Sequence, residues 1–117
     1  MILLFDDNRE LCEALTDFLS TQGHNVQSAA NGDEALRLLA DSEVRPALIF
    51  LDVVMPVLDG WELLTELRKA PRLANVPVVL MWGSPDIAQR AKESGAVAVM
   101  RKPAEPQMLL RIVDHFI

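Results

Sequence analysis

A single cysteine, Cys12, in 117 residues cannot close an internal disulfide. Neither it nor the two histidines, His24 and His115, form a cluster with zinc-site spacing. Cys12 reads instead as a small helix residue facing the core. Basic residues are few: 11 Lys and Arg stand against 17 Asp and Glu, a net charge of -6. That balance argues against nucleic acid as a direct partner, because phosphate binding rests on Lys/Arg patches. No apolar run approaches the ~18 residues of a membrane span. The N-terminal MILLFDD has no basic segment and only a short apolar run, unlike a signal peptide. The expectation is a cytoplasmic chain that does not engage a membrane. Gly60 and Gly95 have no phosphate-loop pattern around them and read as backbone permissiveness near helix ends. With no linker or low-complexity tract, residues 1–117 are expected to form one domain, long enough to bury about two-thirds of its unfolded surface.

What is present is an alternation of short apolar runs with segments of helical period. Ile2 to Phe5 is a first strand, and Asn8 can cap a helix with Leu11, Ala14, Leu15, Phe18 and Leu19 inward. Gly23 stops that helix, and Asn25 to Ala29 is a weaker strand. Asn31 starts a second helix with Ala35, Leu36, Leu38 and Leu39 inward. Pro46 opens a third strand that ends at Asp52, and Asp59-Gly-Trp-Glu62 fits a capping box ahead of a third helix. Pro77 leads a fourth strand, and Ser84-Pro85 fits a helix start, with Gly95 as its stop. Val97 to Met100 is a fifth strand, and the last helix begins near Pro106 with Leu109, Ile112, Val113 and Phe116 inward.

Fully apolar third, fourth and fifth strands imply cover on both faces, hence a parallel sheet between two helix layers. The expected class is α/β, a (βα)5 flavodoxin-like three-layer sandwich with five parallel strands in the order 2-1-3-4-5. In such a sheet ligands bind beyond the carboxyl ends of the strands, at the switch in strand order. Asp6 and Asp7 end the first strand and Asp52 the third, the two that flank the switch. Lys102 follows the fifth strand, and Trp82-Gly83-Ser84 follows the fourth, on the same rim. Three carboxylates with one Lys leave a surplus of two negative charges, which a divalent cation balances. Hard oxygen ligands suit Mg2+. A carboxylate beside such an ion and an ammonium group is equipped to attack a phosphoryl group.

The acidic pair Asp6-Asp7, Asp52 in LDVVMPVLDG with its Met55-Pro56…Gly60 loop, and Lys102-Pro103 together resemble the receiver domain of two-component response regulators. The resemblance implies phosphorylation of Asp52 by a histidine kinase or histidine phosphotransfer protein. It implies Mg2+ held by Asp7, Asp52 and the Val54 backbone carbonyl, with Asp6 helping through water. It further implies Lys102 on the phosphoryl group and a cis bond before Pro103. Gly83 and Ser84 fall at the phosphate-contacting loop.

Two positions depart from the family pattern. Trp82 stands where Thr or Ser is usual, and Val99 where Tyr or Phe is usual, so large and small have traded places on neighbouring strands. The departure keeps open a degenerate receiver that acts as a constitutive interaction module. An aspartate-nucleophile phosphatase is disfavoured, because Val54 occupies the place of its second Asp and supplies no proton. No stand-alone enzyme is expected beyond self-phosphorylation and slow self-dephosphorylation. On the last helix Met108, Leu110 and Ile117 widen the apolar stripe. They make either a core that wraps the helix end or an association surface for a homodimer.

Overall fold

The computed structural model describes residues 1–55, 57, 59–83, 90, 93–102 and 105–117. Pro56, Ser84, Pro85 and Pro103, and with them the helix start at Ser84 and the bond before Pro103, lie outside the described residues. Five strands, β1 (Ile2–Phe5), β2 (Val26–Ala29), β3 (Leu48–Asp52), β4 (Val78–Trp82) and β5 (Ala98–Arg101), form one parallel sheet in the order β2-β1-β3-β4-β5. The helices α1 (Arg9–Thr21), α2 (Gly32–Ala40), α3 (Gly60–Lys69) and α4 (Pro106–Phe116) connect or follow them.

Local chemistry explains the helix starts. Asn8 accepts from the Leu11 N–H, Asn31 from the Glu34 N–H, and Asp59 from the Glu62 N–H at 2.9 Å, each satisfying a donor that the first turn leaves unpaired. Glu62 returns a bond to the Asp59 N–H and completes the capping box. Gly23, at φ +90°, ends α1 in a left-handed conformation that side chains avoid.

Alternation along the strands divides the core into two layers. Leu3, Phe5, Ile49, Leu51 and Leu80 face Ala35, Leu39, Leu63 and Leu67 of α2 and α3. Ile2, Leu4, Phe50, Val79 and Met81 face Leu15 and Leu19 of α1 and Leu109 and Val113 of α4. Cys12 belongs to this second layer, as its helix position suggested.

Some expectations need correction. The fifth strand is not covered on both faces: Val99 is 40% exposed, and only Met100 of β5 is buried. Its apolar composition resembles that of β4, but β5 is a sheet edge. It also starts one residue later than expected, at Ala98, while β2 and β3 start at Val26 and Leu48. Ala14 and Leu36 are exposed rather than inward, whereas Ile112 and Phe116, half-buried, pack against the second layer as expected. α1 and α2 turn a narrower stripe to the sheet than their apolar content suggests.

Candidate phosphoryl-acceptor site

Parallel register brings the acids together. Phe5 pairs with Leu51, so Asp6 and Asp52 leave neighbouring strands at the same level. Asp52 itself pairs with Met81 of β4, and Trp82 with Arg101 of β5, which sets Lys102 on the same rim. Asp6 and Asp52 are buried, whereas Asp7 is exposed. One ligand oxygen from each of the three lies within 4.8 Å of those of the other two.

Backbone contacts fix this cluster. The Asn8 N–H donates to Asp6 Oδ1 at 2.9 Å, and the Val54 N–H donates to Asp52 Oδ1 at 3.0 Å. The Cys12 thiol donates to the Asp6 carbonyl at 3.3 Å. Val53 N–H bonds the Met81 carbonyl, and Lys102 N–H the Trp82 carbonyl at 2.6 Å, so the loops after β3 and β5 are both anchored to β4. Gly60 donates to the Val53 carbonyl and closes the loop after β3. Its role exceeds the permissive one expected from sequence. A Cβ at this position would collide with the Asp52 carbonyl oxygen and the Val53 Cα, so only glycine lets α3 start this close to the end of β3.

Lys102 bridges the two buried carboxylates, with Nζ 2.8 Å from Asp6 Oδ2 and 2.9 Å from Asp52 Oδ2. Burial pushes the Asp52 pKa up, and this outweighs the opposing bonds from Lys102 and the Val54 N–H. Burial alone would lower that of Lys102, but its hydrogen bonds to Asp6 and Asp52 prevail and its pKa is raised. A desolvated carboxylate is a more basic one, and the ammonium beside it keeps an ionised form within reach. Burial likewise pushes the Cys12 thiol up to about 11, so it is a packing and hydrogen-bonding group with little thiolate at neutral pH.

Three carboxylates and one ammonium fit a divalent, oxygen-seeking ion, because Lys102 balances only one of the three charges. Of the other sequence candidates, Gly83 is exposed at the end of β4. Trp82 turns its ring into the α2/α3 layer, is 9% exposed, and leaves Nε1 buried without a partner among the described residues. Val99 lies on the open edge, and Val54 projects its side chain into solvent beside Asp52. Sequence reasoning missed the anchoring of Asp6 by Cys12 and the close approach of Gly60. Only the six-residue spacing of Asp6 and Cys12, one strand end to the second turn of a helix, hinted at the first.

Residues 2–114 match the model of the response regulator receiver domain. The chain is 33% identical over 118 residues to a probable transcriptional regulator, ycf29, of Porphyra purpurea, covering 99% of this chain and 56% of that protein. It is 37% identical over 111 residues to the transcriptional regulatory protein GltR of Pseudomonas aeruginosa, covering 93% and 45%. The chain thus spans about half the length of these relatives. These relatives are named as transcriptional regulators, so the expectation of no direct nucleic-acid binding finds no support in them. Among solved structures, the receiver domain of a signal transduction histidine kinase from Syntrophus aciditrophicus aligns with TM-score 0.86 at 33% identity, covering 98% of this chain and 87% of that one. The chemotaxis response regulator CheY4 of Vibrio cholerae aligns with TM-score 0.88 at 29% identity, covering 99% and 97%. On fold, sequence match and convergent acids alike, the chain belongs to the response regulator receiver domains.

Proposed function

We propose that this domain accepts a phosphoryl group on Asp52 in a magnesium-dependent reaction, with a histidine kinase or histidine phosphotransfer protein as donor. The observation that carries the reading is Lys102 Nζ held between Asp6 and Asp52, while Asp7 at the mouth of the site has no ion pair among the described residues. In the transfer, one Asp52 oxygen forms a bond to phosphorus as the donor's P–N or P–O bond breaks. The bonding pair leaves with the donor. Lys102 offsets charge on the transferring oxygens, and the Val54 N–H orients the carboxylate. Asp6, Asp7 and Asp52 would hold Mg2+, with the Val54 carbonyl a further ligand. The ion would supply charge neutralisation on the phosphoryl oxygens. Intact-mass measurement after incubation with acetyl phosphate and magnesium tests the proposal. Wild type should gain one phosphoryl group, and Asp52→Asn or added chelator should abolish the gain. Equal labelling of Asp52→Asn would refute the assignment.

Val54, exposed beside the acceptor, has no polar group to position a hydrolytic water. The phosphorylated state should therefore lose phosphate more slowly in wild type than in Val54→Asn, read by the decay of the labelled mass. An equal or faster decay in wild type would remove that role for Val54.

A second reading, a receiver that binds a partner regardless of phosphorylation, is favoured by one observation. Val99 offers no aromatic at the open edge, and Trp82 is packed inside. Trp82 fluorescence in a Trp61→Phe background discriminates between the two. A change on adding magnesium and beryllofluoride supports an altered switch through Trp82, and a flat signal despite measured binding supports the constitutive module.

A further inference from the structure

The cations of this acidic chain differ in what they face. Arg9 and Arg37 meet the carboxylates of Glu34 and Asp33, and Lys102 meets those of Asp6 and Asp52. Arg68 and Arg90 form no ion pair among the described residues. Arg68 donates to the backbone carbonyls of Ala74, Val76 and Gly95, and the Arg90 guanidinium lies over the Trp61 ring, 4.4 Å from its centre. Carbonyls and a ring face hold a guanidinium without cancelling its charge. Both cations are therefore fixed in place and left uncompensated.

Helical spacing brings them together. Trp61, Thr65, Arg68 and Lys69 stand at i, i+4, i+7 and i+8 along α3 and so share one face. That face and the chain at Arg90 and Glu93 line a cleft of about 480 Å³, within the ordinary size range of small-molecule sites. Among the described residues its lining carries three cations, Arg68, Lys69 and Arg90, against one acid, Glu93. A chain of net charge -6 thus holds a local surplus of two positive charges. Lys69 is loosely engaged, with Nζ 3.5 Å from Glu66 Oε1 and both side chains exposed. None of these lining residues is a candidate for the acceptor site.

We propose that this cleft binds a nucleoside monophosphate, with its phosphate between Arg68 and Lys69 and its base stacked on the outer side of the Arg90 guanidinium. The surplus of two positive charges matches the roughly -1.5 to -2 charge of a phosphate monoester at neutral pH. Carbonyls take three of the five N–H donors of Arg68, which leaves two for phosphate oxygens on a side chain already ordered. The base answers to the other half of the cleft. A guanidinium held over an indole presents a second flat face, and nucleobases stack on guanidinium planes as they do on aromatic rings. An acidic peptide or an inorganic anion satisfies the charges but leaves that flat face unused. The proposal does not rest on phosphorylation of Asp52, so the two readings can fail separately.

Calorimetric titration of the full chain in magnesium-free buffer tests it, with AMP, GMP, adenosine and inorganic phosphate as probes. AMP and GMP should bind more tightly than adenosine or phosphate, each of which offers only half of the contacts, and should weaken as salt rises. Lys69→Glu and Arg90→Glu should each weaken both nucleotides about tenfold or more, as expected for the loss of a charge-assisted contact. Both side chains are exposed, so neither replacement should change the circular dichroism spectrum. Arg90→Lys keeps the charge without the plane and should bring AMP down to the level of phosphate. Asp52→Asn should leave the titration unchanged. Absence of binding by AMP and GMP overturns the proposal, and so does an affinity no greater than that of phosphate. Variants at Lys69 and Arg90 that bind as wild type does overturn it too. Loss of binding in Asp52→Asn would place the nucleotide at the acid cluster and overturn it. A glutamate-rich peptide that binds more tightly than AMP and is lost in the same variants would assign the cleft to an acidic protein segment and overturn it as well.

Discussion

Leu80 of β4 and Val99 of β5 are partners in register, on the same face of the same sheet, yet Leu80 is fully buried and Val99 is 40% exposed. Both strands are rich in apolar residues, and what separates them is position. β4 is flanked on both sides and covered by helices on both faces, while β5 has a neighbour on one side only. The comparison shows a division of labour. The interior strands β1 and β3 carry the buried acids, where packing holds geometry, and the edge strand carries the surface left open to others. Lys102 stands at the junction, since it leaves the edge strand and reaches the interior carboxylates.

Truncation at Leu80 should give the largest effect. Leu80→Ala removes a fully buried side chain from the α2/α3 layer and is expected to cost about 2–5 kcal/mol. Urea unfolding monitored by circular dichroism measures it, and a loss below about 1 kcal/mol would mean that β4 is less tightly covered than its burial indicates. Gly60→Ala should come next, at about 1–3 kcal/mol, because the added methyl must push α3 away from the Asp52 carbonyl. This variant also sharpens the contrast between interior and edge. Its damage should appear as weaker magnesium binding as well as lower stability, since the displaced backbone belongs to Asp52, one of the clustered acids. A variant that loses stability but binds magnesium normally would show that the loop and the acid cluster move independently.

The interior of the comparison was readable in the sequence, and the edge was not. Asp6, Asp7 and Asp52 announce themselves because a carboxylate directly after an apolar strand needs a reason, and parallel topology supplies a shared rim. Asn8, Asn31 and Asp59 were legible as caps because capping is chemistry between near neighbours. β5 misled because apolar content reports what a strand is made of. Which strands flank it depends on pairing between distant segments. Similar reasons hid two arginines. Arg68 donates to the Ala74 and Val76 carbonyls and to that of Gly95, and Arg72 donates to those of Leu39 and Val44. They tie turns to the layer beneath, and no local spacing marks an arginine for that work.

A smaller effect of opposite sign is expected in the loop after β3. Val57 adopts φ 74°, a left-handed conformation that a β-branched residue avoids, and its side chain is exposed. Relief of that strain is worth about 1–2 kcal/mol, and the greater freedom of glycine in the unfolded chain gives back about 0.4–1. Val57→Gly should therefore stabilise the protein by up to about 1.6 kcal/mol, measured as a raised midpoint in urea. A destabilised Val57→Gly would mean that the valine makes a contact that its exposure conceals.

The smallest expected change breaks or confirms the original pairing most directly. Val99→Thr keeps the shape and the β-branch and exchanges a methyl for a hydroxyl at a half-open position. It should alter stability by no more than about 0.5 kcal/mol. The identical substitution at Val79, fully buried between β4 and the α1/α4 layer, strands a hydroxyl among apolar side chains and should cost about 1–3 kcal/mol. Because the two replacements are chemically the same, their difference isolates cover from composition. Equal losses in dilute protein would mean that the edge is covered in solution after all. If the loss at Val99 appeared only as protein concentration rose, the cover would be a second copy.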